Sequence, residues 1–169
     1  MYPETYLDMV RPGLLLYGYG KYGKMLGLKP VMTMKTTIST IKTYPAGTPV
    51  SYGGIYVTDK TTRAGVIPYG YADGFLRSLS NHCSLMTEEG PAKQIGRICM
   101  DMAMIDLTDK PEVDVGSEIE IFGERNSLDD MAKAAGTIPY ELTCAVSKRV
   151  PRVYIENGEI TYRELLLRM

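Results

Sequence analysis

Between residues 28 and 122 the sequence breaks into short extended runs, each closed off by glycine or proline. The run VMTMKTTISTIKTY alternates, with Val31, Thr33, Lys35 and Thr37 on one parity and Met32, Met34, Thr36 and Ile38 on the other. It is dense in β-branched residues, which pack well on a pleated surface. Pro45-Ala46-Gly47 reads as a turn. Further strands are expected over 48–52, 63–69, 83–86, 94–98, 102–107 and 117–122. Short strands at such regular spacing predict an antiparallel sandwich or barrel.

Helical signals come late. Ser127 reads as an N-cap, Asp129 and Asp130 fall in the first turn, and Gly136 stops the helix. Thr137 is the expected cap of a second short helix through Tyr140, Leu142, Ala145 and Val146. A final strand over 150–156 precedes the Asn157-Gly158 turn, and the tail ITYRELLLRM fits strand or helix. At the other end, the apolar run 9–18 predicts a buried strand with a glycine exit. The stretch YGYGKYGKMLG predicts a loop. No strong helix pattern follows it, so it does not read as a phosphate cradle.

Composition narrows the function classes. With 169 residues and 18.8 kDa, the chain suffices for one domain and an appendage. Its 19 basic and 20 acidic residues leave a net charge of −1, too little positive charge to neutralise phosphate backbones, so no nucleic-acid partner is expected. No apolar run approaches the ~20 residues needed to span a bilayer. The opening MYPETYLDMVRPG carries acids and prolines and does not read as a signal peptide. Cys83, Cys99 and Cys144 are an odd number without a CxxC pair, which argues for a reducing, cytoplasmic setting and against a structural zinc. His82 is the only histidine, which argues against a His-based metal site or a Ser-His-Asp triad within the chain; it is expected in a solvated loop. Thirteen tyrosines, against 2 Phe and no Trp, make tyrosine the only abundant side chain that is aromatic and can move a proton.

Asp8-Met9-Val10-Arg11-Pro12-Gly13 resembles the last barrel strand of alanine racemases. The likeness continues through Leu28-Lys29-Pro30-Val31-Met32, Val50-Ser51-Tyr52-Gly53-Gly54 and Ile67-Pro68-Tyr69-Gly70-Tyr71-Ala72-Asp73-Gly74. It goes on through Gly96-Arg97-Ile98-Cys99-Met100-Asp101, Tyr140-Glu141 and Ser147-Lys148-Arg149-Val150-Pro151-Arg152. The blocks follow the family's order over nearly the whole chain. The resemblance implies a pyridoxal 5′-phosphate (PLP) enzyme in which an eight-stranded α/β barrel precedes a C-terminal β domain. Residues 1–27 match the arm that ends the barrel, with its linker, and 28–169 match the β domain. The implied fold is mainly β: a closed, Greek-key-like six-stranded barrel with short helices near 127–135 and 137–147. The family's cofactor lysine lies in a Lys-Ala-Asn-Ala-Tyr-Gly-like run of the first barrel strand, and no such run occurs here. The family's barrel histidine and substrate-binding barrel arginine are missing too. The chain therefore reads as a C-terminal fragment starting at Met1 and inactive alone, its parent supplying D-alanine for peptidoglycan.

The resemblance also assigns roles. Tyr52 matches the tyrosine that serves the L-face of the substrate Cα, working across a homodimer interface in the partner's site. A phenol in water has a pKa of about 10 and needs cationic or hydrogen-bonding neighbours to accept a proton near neutrality. Arg11 matches the arginine facing the pyridine nitrogen, and Gly13 and Leu14 the backbone donors to the cofactor phosphate. Tyr140 matches the tyrosine that hydrogen-bonds that phosphate. Met100 matches the backbone contact to the substrate carboxylate. Tyr71 matches an inner gate, Cys99 a wall of the site, and Asp101 a residue that orients its neighbours. Arg77, Arg97 and Ile138 match the approach corridor. Two other functions remain open on sequence: the same domain of a serine racemase, which Tyr140 argues against, and a non-catalytic β module.

Overall fold

A computed structural model describes residues 3–165. The strands are β1 (Met34–Thr37), β2 (Thr40–Tyr44), β3 (Pro49–Val50), β4 (Tyr56–Val57), β5 (Thr62–Ile67), β6 (Ser84–Thr87), β7 (Gly90–Ile95), β8 (Ala103–Asp106), β9 (Glu118–Phe122), β10 (Arg152–Glu156) and β11 (Glu159–Glu164). The helices are α1 (Gly20–Met25), α2 (Leu128–Ala135) and α3 (Pro139–Ala145). Seven strands form one antiparallel sheet in the order β1-β9-β6-β7-β8-β5-β2. Its two outermost strands are neighbours in sequence, separated only by Ile38 and Ser39. There the Ile38 N–H donates to the Ser117 carbonyl at 3.1 Å, and the Ser39 N–H to that of Val66 at 2.9 Å. The fold is mainly β, with a strongly curled sheet and few helices.

Pleating sends successive side chains to opposite faces. Ile67, Leu85, Ala92, Ile105, Ile119 and Ile121 pack inside the curl with Ile38, Phe75, Leu79 and Leu128. The other face of β5 and β7 carries Ala64 and Ile95. These form a second cluster with Val50, and Tyr44, Tyr56 and Met104 pack around it. The β3–β4 ribbon therefore lies against the sheet's outer face. Burial on both faces accounts for the apolar centre of β5, which departs from strict alternation.

Several expectations need correction. Residues 9–18 form no buried strand: Val10 is 62% exposed and Gly13–Tyr17 make a 3₁₀ turn. Pro12 removes a ladder donor there, and Gly13 and Gly18 take φ of 57° and 75°. The expected loop over 17–27 contains α1. Gly18 serves close packing there: a Cβ on it would collide with the Lys29 carbonyl. The first late helix is as expected, with Ser127 Oγ accepting from the Asp130 N–H. The second is capped at Ile138, one residue later than expected, with Pro139 opening it; the Thr137 hydroxyl instead donates to the Glu141 carboxylate. The tail runs as β11 through Glu164, paired with β10. Met1, the expected fragment start, and the last four residues of the tail lie outside the described residues.

Candidate active site

Tyr52 stands at the tip of the β3–β4 ribbon and is 73% exposed. Val50, 2% exposed, pins the base of the ribbon to the sheet beside Ala64 and Ile95. Gly53 and Gly54 follow Tyr52 with φ of 72° and 54°, a conformation glycine adopts without steric cost. Ser51 precedes it at φ 63°, ψ −174°. The Ser51 hydroxyl donates to the Arg97 carbonyl at 2.7 Å, and Arg97 Nε donates to the Tyr52 carbonyl at 3.4 Å.

A cleft of about 570 Å³ opens beside the Tyr52 ring. Tyr71, Arg77 and the segment 97–102 supply its other walls. The Tyr71 and Ala72 N–H groups donate to the carbonyls of Cys99 and Met100, each at 3.0 Å. Gly70 permits this zipper, because a Cβ there would collide with the same two carbonyls. Arg149 braces it from outside, with Nε 2.7 Å from Asp73 and an Nη 2.6 Å from Asp101.

The Arg77 wall is fixed by a buried polar network. Ser80 Oγ donates to the Arg77 carbonyl at 2.6 Å and accepts from the Ile98 N–H at 3.0 Å. Asn81 Oδ1 accepts from the Gly96 N–H at 2.7 Å. Gln94, with 0% exposure, accepts from the Asn81 N–H at 2.6 Å and donates to the carbonyls of Ile95 and Gly96 at 3.1 and 3.0 Å. In a low-dielectric interior a fully satisfied network of this kind rigidifies what it holds.

A second constellation lies at the N-terminal arm. The Leu14 N–H donates to Tyr140 Oη at 3.0 Å. Gly13 leaves the space between them open, since a Cβ there would sit 2.9 Å from that oxygen. Arg11 is exposed nearby in sequence, and Ile138 is exposed at the cap of α3. Arg11, Gly13, Leu14, Ile138 and Tyr140 do not line the cleft. The structure thus gathers Tyr52, Tyr71, Arg77, Arg97, Cys99 and Met100 in one place and keeps the other five apart.

Several residues escaped the sequence reading: Ile98 and Met102 also line the cleft, and Ser51, Ser80, Asn81, Gln94 and Arg149 hold its walls. No local spacing marks Ser51, Gln94 and Arg149, because each ties its segment to one distant along the chain. His82 is exposed. Among the described residues, no group of three His, Cys, Asp or Glu could hold a metal ion, and no helix is long and apolar enough to cross a membrane. Beneath the surface, burial pushes the Cys83 thiol up to about 12. Burial, reinforced by Glu120 and Asp129, pushes the Tyr19 phenol up to about 12.

A protein-family profile described as "Alanine racemase, C-terminal domain" matches residues 31–154. Alanine racemase 1 of Clostridium acetobutylicum is 46% identical over 166 residues, covering 94% of this chain and 43% of the relative. The solved alanine racemase of Clostridium difficile 630 superposes with a TM-score of 0.87 at 37% identity, covering 95% of this chain and 43% of that one. The alanine racemase of Bacillus anthracis, solved with bound L-Ala-P, gives a TM-score of 0.81 at 30% identity, with 89% and 41% covered. The chain thus spans less than half the length of these relatives.

Proposed function

The chain belongs to the alanine racemase family as its C-terminal domain, and from that premise we propose that it forms the C-terminal part of a PLP-dependent enzyme interconverting L- and D-alanine. One observation carries this proposal: six residues chosen from sequence converge on a single cleft, while the candidate cofactor residues sit in a separate cradle. Neither half is a complete site within one chain. A homodimer that sets the cleft of one chain against the cradle of its partner completes both.

The cradle suits a phosphate-bearing cofactor. The Leu14 N–H and the Tyr140 hydroxyl converge at 3.0 Å, and Gly13 leaves room beside them. Backbone N–H groups and a hydroxyl are a fitting donor set for an anion. Arg11 would face the ring nitrogen as a hydrogen-bond donor, a role in which a guanidinium hands over no proton. When bound, PLP supplies the electron sink that lets a Cα proton leave. Its covalent anchor is a lysine outside this chain. Tyr52 takes the proton on the L-face, and that lysine serves the other. The Met100 N–H holds the substrate carboxylate, Tyr71 narrows the gate, and Cys99 forms a wall. Arg77 and Arg97 draw in a carboxylate, and Ile138, which lies with the cradle, reaches that corridor only across the dimer. Tyr140 favours alanine over serine, and the L-Ala-P bound by the Bacillus anthracis relative supports an alanine-sized substrate. Residues 1–27 are the end of the barrel with its linker, and 28–169 the β domain. β1 and β2 act as one bent strand, so that the sheet closes as a six-stranded barrel. The setting is cytoplasmic, with D-alanine going to peptidoglycan.

Titrating the purified chain with PLP, alone and mixed with a separately made barrel half, tests this. Absorbance reports cofactor capture and a D-alanine assay reports turnover. The chain alone should give neither, and the mixture both. Turnover by the chain alone would overturn the half-site reading. A stable but inactive mixture would favour a non-catalytic module.

A further inference from the structure

We propose that Ser51 is a positioning residue, whose hydroxyl clamps a strained backbone and so aims the Tyr52 phenol into the cleft. The inference rests on the role given to Tyr52 above. At φ 63°, ψ −174°, Ser51 occupies a region of backbone space that is essentially reserved for glycine. A side chain persists there only when its surroundings hold it. Here the holding group is the hydroxyl itself, which donates to the Arg97 carbonyl at 2.7 Å. The Cys99 sulfur lies 3.4 Å from Ser51 Oγ, and Cys99 lines the cleft.

Two further contacts make the clamp directional. Gly96 lets the two segments touch, since a Cβ on it would stand 2.8 Å from the Val50 carbonyl and 2.9 Å from the Ser51 Cβ. Arg97 then grips Tyr52 from both sides: its carbonyl holds the residue before, and its Nε reaches the Tyr52 carbonyl at 3.4 Å. The phenol is 73% exposed and gains little from packing, so backbone geometry must set its direction. Glycine at position 51 would permit this φ but would also permit many others. Serine with its hydroxyl engaged selects one conformation. Alanine keeps the Cβ clash and loses the clamp, so the 51–52 peptide should rotate to ordinary φ and carry Tyr52 away.

The test uses Ser51→Ala and Ser51→Gly, with Tyr52→Phe as reference. In this chain labelled with 3-fluorotyrosine, the Tyr52 ¹⁹F resonance is the one that Tyr52→Phe removes. It should shift in Ser51→Ala and broaden in Ser51→Gly. In the complete dimeric enzyme, solvent deuterium wash-in is measured from each antipode. Displacing a reacting group by about 1 Å costs roughly a hundredfold, so Ser51→Ala should slow wash-in from L-alanine by about that factor and leave D-alanine nearly unchanged. Ser51→Gly, which keeps the allowed φ but loses one hydrogen bond, should slow it by roughly tenfold. An unmoved resonance in both variants, or equal loss from both antipodes, overturns the proposal. If Tyr52→Phe shows the asymmetry and both Ser51 variants behave as wild type, the clamp falls while the role of Tyr52 stands. If Tyr52→Phe itself slows both antipodes equally, the role of Tyr52 falls, and the clamp with it.

Discussion

Around the cleft, walls distant in sequence are tied to one another through buried or half-buried polar groups. Around the cradle, a 3.0 Å bond joins Leu14 to Tyr140 and both partners stay open to solvent. The cleft spends its polar groups on internal contacts and is stiff. The cradle's one bond is exposed, so its groups can exchange it for another partner. A buried network is costly to leave half satisfied, whereas an exposed donor falls back on water. The two regions should therefore respond to mutation in opposite ways, the cleft mainly through stability and the cradle mainly through ligand affinity.

The largest effect is expected at Gln94. Gln94→Leu leaves the Asn81 N–H and the carbonyls of Ile95 and Gly96 buried without this partner. Each unsatisfied group costs roughly 1–3 kcal/mol, so denaturant unfolding should show a loss of about 4 kcal/mol. A loss below about 1 kcal/mol would break the claim that the cleft is held by its network. Gly70→Ala comes next. Its Cβ meets two backbone carbonyls, which cannot swing aside as a flexible side chain would. Overpacking of this kind should cost about 3 kcal/mol and separate the Tyr71 loop from Met100. The same thermal or denaturant series measures it.

A smaller effect comes from pH. The Tyr19 phenol, raised from 10.0 to about 12 by burial first and by Glu120 and Asp129 after it, favours its protonated form in the folded chain. Stability from it is complete below pH 10 and is lost as pH rises through about 12. Tyr19 lies at the foot of the N-terminal arm, donating its hydroxyl proton to the Met32 carbonyl at 2.7 Å. Alkaline unfolding should thus cost about 2 kcal/mol over that window, and Tyr19→Phe should flatten the curve there. An unchanged curve in Tyr19→Phe would remove the arm as the alkali-sensitive region and leave Cys83, beside the Arg77 wall, as the group to test.

How much of this was legible in the sequence follows from the same division. Much of the sheet could be read because strands such as those in the run 31–44 alternate, although β5 and β9, buried on both faces, do not. The arm could not. Its glycines suggested a flexible loop, but Gly18 is there so that the Lys29 backbone can approach, and the helix that follows is too short to show a period. The cleft residues were found through ordered motifs, which mark identity without geometry. Ser51 was quoted within one of them and its function was invisible, because a φ of 63° is not written in a serine. Arg149 was equally hidden, since its carboxylates at Asp73 and Asp101 are distant in sequence and meet it only after folding.

The smallest expected change in stability is the one that best isolates the cradle. Tyr140→Phe removes the acceptor of the Leu14 N–H without altering the size of the ring. Both groups are accessible, so water replaces the lost bond and unfolding should shift by less than about 0.5 kcal/mol. The same hydroxyl is a proposed phosphate donor, and a hydrogen bond to a charged group is worth roughly 1.5–3 kcal/mol. Cofactor affinity of the complete enzyme should then fall at least about tenfold in an absorbance titration. A variant that loses stability but keeps its affinity would invert the pattern. The Leu14–Tyr140 contact would then be a structural tie like those of the cleft, and the phosphate would have to be held elsewhere.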